Sequence, residues 1–144
     1  MNRLIGVVHL AALPGSPRAS LPLEVIIQRA VDDACALEAG GADGLIVENF
    51  HDAPYRPGAV EAHTVAAMTR VTQAIRAAVR CDIGVNVLRN DAAAALGIAL
   101  ATGGQFIRVN IHSGAMLTDQ GIVQGQADQT LRLRRALGAE HIAI

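Results

Sequence analysis

EAGGADGLIV at residues 38–47, ATGGQFIRV at 101–109 and ALGAEHIAI at 136–144 carry the same local pattern three times. Each leaves a stretch of helical period, turns at glycine, and enters a short apolar run. Glycine ends a helix cheaply because it adopts left-handed backbone without a Cβ penalty. A short run of apolar residues bounded by turns is what a buried strand requires.

Working outward, the apolar runs lie at residues 4–10 (LIGVVHL), 44–49 (GLIVEN), 83–88 (IGVNVL), 106–111 (FIRVNI) and 141–144 (HIAI). Helical spacing fills the gaps. Val25, Ala30, Ala34 and Leu37 mark a first helix, and Val65, Met68, Val71, Ile75 and Val79 a second. The third is alanine-rich behind Asp91, a natural N-cap, and the fourth starts near Asp128. Pro22 suits a first helical turn, while Gly40, Gly103 and Gly138 stand where C-cap glycines belong.

Alternating strands and helices with apolar strands leave two architectures, an open doubly wound sheet or a (β/α)8 barrel. The glycine fingerprint that follows the first strand of a dinucleotide-binding sheet is missing from GVVHLAALPGSP at residues 6–17, which favours the barrel. Four β-α units and the start of a fifth strand consume all 144 residues. A complete barrel takes roughly 250. The expectation is therefore the N-terminal half of a (β/α)8 barrel, residues 1–144 forming a partial domain that continues beyond Ile144. A half-barrel pairing with a second copy is the less favoured alternative.

Composition narrows function. Hydrophobic residues make up 51% of the chain and charged ones 17%, which excludes a disordered segment. All twelve basic residues are arginine, so no lysine exists for Schiff-base or P-loop chemistry. A net charge of -1 and only three aromatic residues argue against a nucleic-acid partner. Cys35 and Cys81 fit two small residues in a reducing cytoplasm better than a disulfide framework. The longest apolar run, residues 92–101, falls well short of the roughly 20 residues a bilayer requires, so any membrane association would be peripheral.

In barrels the reacting groups project from the C-terminal ends of strands. Here those ends carry His9, then Glu48 and Asn49, then Asn86 with Arg89 and Asn90 beyond it, then Asn110 and His112. Strand alternation sharpens the assignment. Leu45 and Val47, Ile83, Val85 and Val87, and Ile107, Val109 and Ile111 should face the helices. Glu48, Asn86, Arg108, Asn110 and His112 then face the lumen. A buried Arg108 needs a carboxylate, and Glu48 is the inward acid available. Residues 112–126 (HSGAMLTDQGIVQGQ) form a long loop with Thr118 and Asp119 that could cover a ligand. Asp52 sits in the polar loop after the second strand. His9, Glu48 and His112 are metal-ligand types, but no H-x-H or H-x-x-x-H spacing supports a metal, and no cofactor motif is present.

Four blocks, GVVHLAALPGSP at 6–17, GLIVENFHDAPY at 44–55, GVNVLRNDAAAAL at 84–96 and FIRVNIHSGAMLTDQGIVQG at 106–125, resemble the BtpA/SgcQ family. The resemblance implies a TIM barrel about twice this length. It also implies two functional pictures: cyanobacterial members assemble or stabilise photosystem I at the thylakoid surface, and other bacterial members are assigned as nucleosidases. The polar residues named above lie inside the four blocks.

Together the residues and the resemblance suggest a cytoplasmic barrel that binds a small nucleoside or sugar-like ligand, phosphorylated or not, and hydrolyses an N-glycosidic bond. Glu48 or Asp119 would be the base or charge stabiliser and His9 or His112 the acid. Asn49, Asp52, Asn86, Arg89, Asn90, Arg108, Asn110 and Thr118 would bind ligand. The alternative is a non-catalytic assembly factor for photosystem I or another membrane complex. A homo-oligomer is compatible with either.

Overall fold

The computed structural model describes residues 3–144. Four strands, β1 (Ile5–His9), β2 (Gly44–Glu48), β3 (Asp82–Asn86) and β4 (Phe106–Ile107), form one parallel sheet in the order β1-β2-β3-β4. Helices α1 (Leu23–Ala39), α2 (Ala62–Ala78) and α3 (Ala92–Thr102) cross between successive strands, and α4 (Ala127–Ala136) follows. Spatial order equals chain order with no reversal, as in a barrel and unlike a doubly wound sheet, which must switch direction. The chain thus builds four β/α units of a (β/α)8 barrel. After α4, Ala143 makes one parallel bridge to Phe106, the position of a fifth strand.

The core lies between sheet and helices. Val8, Leu45, Val47, Ile83, Val85 and Ile107 meet Ile26, Ala30, Ala34, Met68, Val71, Ile75, Leu96 and Ile98, all fully or almost fully buried. The predicted alternation holds for Leu45, Val47, Ile83, Val85 and Ile107. On α1 the core position is Ile26, while Val25 is exposed. The caps follow the chemistry. Asp91 accepts the Ala94 N–H at 2.9 Å, and Gly103 closes α3 in left-handed backbone. At the end of α1 the left-handed residue is Gly41 rather than Gly40, and Pro22 precedes the first helical residue.

The lumen face is lined by Val7, Ile46 and Phe106 one layer below the strand ends. Gly84 makes this layer fit, because a Cβ there would lie 2.1 Å from the Phe106 ring. No helix among the described residues is long and apolar enough to cross a membrane.

Two expectations are corrected. The fourth strand does not extend over 106–111: its ladder ends at Ile107, because Asn90 takes over the pairing. The Asn90 side chain donates to the Ile111 carbonyl at 2.9 Å and accepts from its N–H at 2.8 Å. Nor is the segment after it an irregular loop. Strands β5 (Ala115–Thr118) and β6 (Gly121–Gln124) form an antiparallel hairpin turning at Asp119 and Gln120.

Candidate functional site

Register builds the site. His9 stands opposite Glu48 and Glu48 opposite Asn86, while the Arg108 N–H reaches the Val85 carbonyl at 3.0 Å and brings Arg108 alongside. Their neighbours Val8, Val47, Val85 and Ile107 point into the helix layer, so these four side chains share the lumen face at the C-terminal ends of four strands.

Glu48 is the hub. Its carboxylate is almost fully buried and accepts a hydrogen bond from Asn86 Nδ2 at 2.6 Å. Arg108 approaches the same oxygen, Oε2, at 3.4 Å, and His9 Nε2 lies 3.7 Å from Oε1. Asn110 extends the network, accepting from Asn86 Nδ2 at 3.2 Å and donating to the Arg89 carbonyl at 3.0 Å. Sequence reasoning expected Arg108 to be buried. Instead its side chain is 54% exposed, on the lumen face of a chain that supplies four of a barrel's eight strands. His9 is also half open, and its ring stacks on Phe50 with centroids 4.2 Å apart.

The other candidates lie outside this row. Asn49 accepts the Leu88 N–H and donates to Asp52, which also accepts the Leu13 N–H. These two side chains tie the first three βα loops together. Burial raises the Asp52 pKa above the usual value, partly offset by those hydrogen bonds. Asn90 braces the strand extension as described. Arg89 donates to Gln120 Oε1 at 2.8 Å, pairs with Asp119 and lies 4.7 Å over the Tyr55 ring. It anchors the hairpin turn to the barrel. The Asp119 carboxyl is held below its usual pKa by the Gln120 hydrogen bond first and by Arg89 as well. Thr118 donates to the Gly121 carbonyl and accepts from the Gln120 N–H, shaping the turn. His112 is half-buried at the foot of the hairpin, and its buried Nδ1 has no partner among the described residues. Gly125 faces it so closely that a Cβ would come within 2.5 Å of the His112 carbonyl oxygen.

A separate cavity of about 280 Å3 opens between Ser16, Asn49, Asp52, Tyr55, His63 and Thr64. No member of the row lines it. No group of three or more His, Cys, Asp or Glu side chains among the described residues could hold a metal ion.

The row offers a buried anionic acceptor, an imidazole at its edge, a half-exposed guanidinium and two anchored amides. That set can bind hydroxyls and move a proton. Sequence reasoning missed Phe50, whose aromatic ring follows a strand end directly and stacks on His9; it named Gln120 among the polar residues of the 112–126 segment without its bond to Arg89.

The sequence model of the BtpA family matches residues 1–144. Among curated proteins, the chain is 49% identical over 139 residues to the photosystem I biogenesis protein BtpA of Synechocystis sp., covering 96% of this chain and 48% of that protein. It is 37% identical over 141 residues to the sgc region protein SgcQ of Escherichia coli, covering 96% and 52%. The chain thus spans about half the length of the curated relatives it matches. Among solved structures, the dihydropteroate synthase of Yersinia pestis in complex with a sulfonamide drug superposes with a TM-score of 0.46 at 17% identity, covering 73% of this chain and 35% of that one.

Proposed function

The chain belongs to the BtpA family, and on that premise we propose that it is a cytoplasmic protein that binds a small polar ligand, a nucleoside or sugar, at the Glu48 row and hydrolyses its N-glycosidic bond. The observation that carries this reading is the convergence of His9, Glu48, Asn86, Arg108 and Asn110 from four strands on one open lumen mouth.

In this reading the Glu48 carboxylate accepts a proton from water or stabilises positive charge developing at the anomeric carbon. His9, steadied by Phe50, gives a proton to the leaving nitrogen. Asn86 and Asn110 orient ligand hydroxyls. Calorimetric titration of the protein with nucleosides and pentoses tests it. Binding that weakens in Glu48→Gln and Asn110→Ala is expected; no binding, or binding indifferent to both changes, overturns it.

A second reading is favoured by the identity to a photosystem I biogenesis protein and by the apolar hairpin. Met116, Leu117 and Ile122 are 60%, 82% and 71% exposed. A non-catalytic assembly factor would use that hairpin against a membrane complex. It would co-sediment with photosystem I membranes in a manner lost in Leu117→Ser/Ile122→Ser and unaffected by Glu48→Gln. Co-sedimentation indifferent to the hairpin change overturns it.

A further inference from the structure

The cleft of about 280 Å3 beside the row is a second place where polar groups converge. Its walls come from the β1–α1, β2–α2 and β3–α3 connections and the first turn of α2, all between neighbouring β/α units. No residue of β1 or β4, the open edges of the sheet, lines it. One wall depends on glycine. Gly15 adopts left-handed backbone, and a Cβ there would lie 2.1 Å from His63 Nε2, so the β1–α1 connection packs bare backbone on the His63 ring.

Next to His63, Thr64 is only 7% exposed and borders the cleft. Thr69, Thr102 and Thr130 each donate to the carbonyl four residues back. Thr64 stands in the first turn of α2, where that position lies before the helix, and its hydroxyl has no hydrogen-bond partner among the described residues. A buried hydroxyl is normally satisfied, and this one is available to a ligand in the cleft.

Asp52 supplies the charge. Its carboxylate accepts the Leu13 N–H at 2.7 Å and the Asn49 amide at 3.0 Å, both neutral donors, and it pairs with no cation among the described residues. The buried carboxylates have positive neighbours: Glu48 has Arg108 and His9, and Asp91 has the N-terminal end of α3. Burial is the main cause that raises the Asp52 pKa; Glu61 adds to the rise and His51 opposes it. Glu61 and Arg56, which also line the cleft, pair with each other. The lining therefore holds one carboxylate without a counter-ion, and its one arginine is already paired.

We propose that this cleft binds a small organic amine as its ammonium ion, the nitrogen between the Asp52 carboxylate and the Thr64 hydroxyl and the carbon chain against Pro17, Pro54 and Leu88. An ammonium group has three donors and no acceptor, which suits two oxygen acceptors on opposite walls. A phosphate or carboxylate would meet Asp52 with no free cation to offset it. The site is separate from the Glu48 row, none of whose members line the cleft, and does not rest on the reading given for that row.

The test compares n-butylamine with n-butanol, which matches it in size and lacks the charge, by calorimetry at neutral pH and low salt. The native protein should bind the amine about ten- to a hundred-fold more tightly than the alcohol, as expected of charge-assisted hydrogen bonds. In Asp52→Asn, which keeps the size and removes the charge, that ratio should fall toward one. Thr64→Val, which keeps the shape and removes the hydroxyl, should weaken amine binding about two- to ten-fold. The comparison of the two compounds in the native protein does not depend on either variant folding. Equal affinity for amine and alcohol, or no binding of butylamine, overturns the proposal. Amine binding unchanged in folded Asp52→Asn and Thr64→Val overturns the cleft as its seat.

Discussion

If Asn86, and not Arg108, holds Glu48, the two contacts must couple very differently in stability. The Asn86–Glu48 bond is 2.6 Å long between two almost fully buried side chains, and one partner carries the charge. A buried charge-assisted hydrogen bond is worth about 1.5–3 kcal/mol, so a double-mutant cycle on Glu48→Ala and Asn86→Ala should give a coupling of about 2 kcal/mol. The Arg108–Glu48 contact is 3.4 Å long and its arginine is 54% exposed, so solvent screening reduces its coupling to less than about 0.5 kcal/mol. Asn86→Ala alone should cost about 2–3 kcal/mol, because it strands a buried carboxylate. The assay is urea unfolding of the native protein, the single variants and the doubles, with the slope held constant as the check on two-state behaviour. An Arg108 coupling equal to or larger than the Asn86 coupling would refute the reasoning and return Arg108 to a structural role.

Other outcomes follow from the same geometry. Gly84→Ala should destabilise by about 1–3 kcal/mol, because the new methyl meets the Phe106 ring, and a Phe106→Leu second change should restore part of the loss. Asp91→Ala should cost about 2–4 kcal/mol in urea unfolding, since Asp91 both caps α3 and accepts the Val60 N–H at 2.8 Å. For Asp52, burial raises the folded pKa above its ordinary value, so the folded state binds the proton more tightly than the unfolded chain does. Its contribution is fully present below pH 3.8 and is lost as pH rises through the folded value; unfolding followed upward from pH 3.8 should show this loss in the native protein and not in Asp52→Asn.

Local rules carried much of this architecture. β-branched runs, glycine turns and the Asp91 cap are properties of a few consecutive residues, and β1 to β3 and all four helices follow from them. Strand parity also reached the site, because alternation fixes which side chains share a face: Glu48, Asn86 and Arg108 met as expected. What escaped depends on contacts between residues distant in sequence. Asn90 replaces a strand partner for Ile111 across 21 positions, and no local pattern announces that. The β5–β6 hairpin turns on Asp-Gln rather than Asn-Gly, so its signal was weak. Arg108 was expected to be buried because a closed lumen would bury it, yet the four strands of this chain enclose only half of one.

The central claim is that ligand binds at the Glu48 row. Its most direct measurement is a two-dimensional amide NMR titration of the isotopically labelled protein with nucleosides, pentoses and ribose 5-phosphate. The account predicts saturable shifts concentrated at the backbone of His9, Glu48 and Arg108 and at the side-chain amides of Asn86 and Asn110. Spectra unchanged by every compound, or shifts confined to the hairpin or to the cavity beside Asp52 and His63, would contradict it.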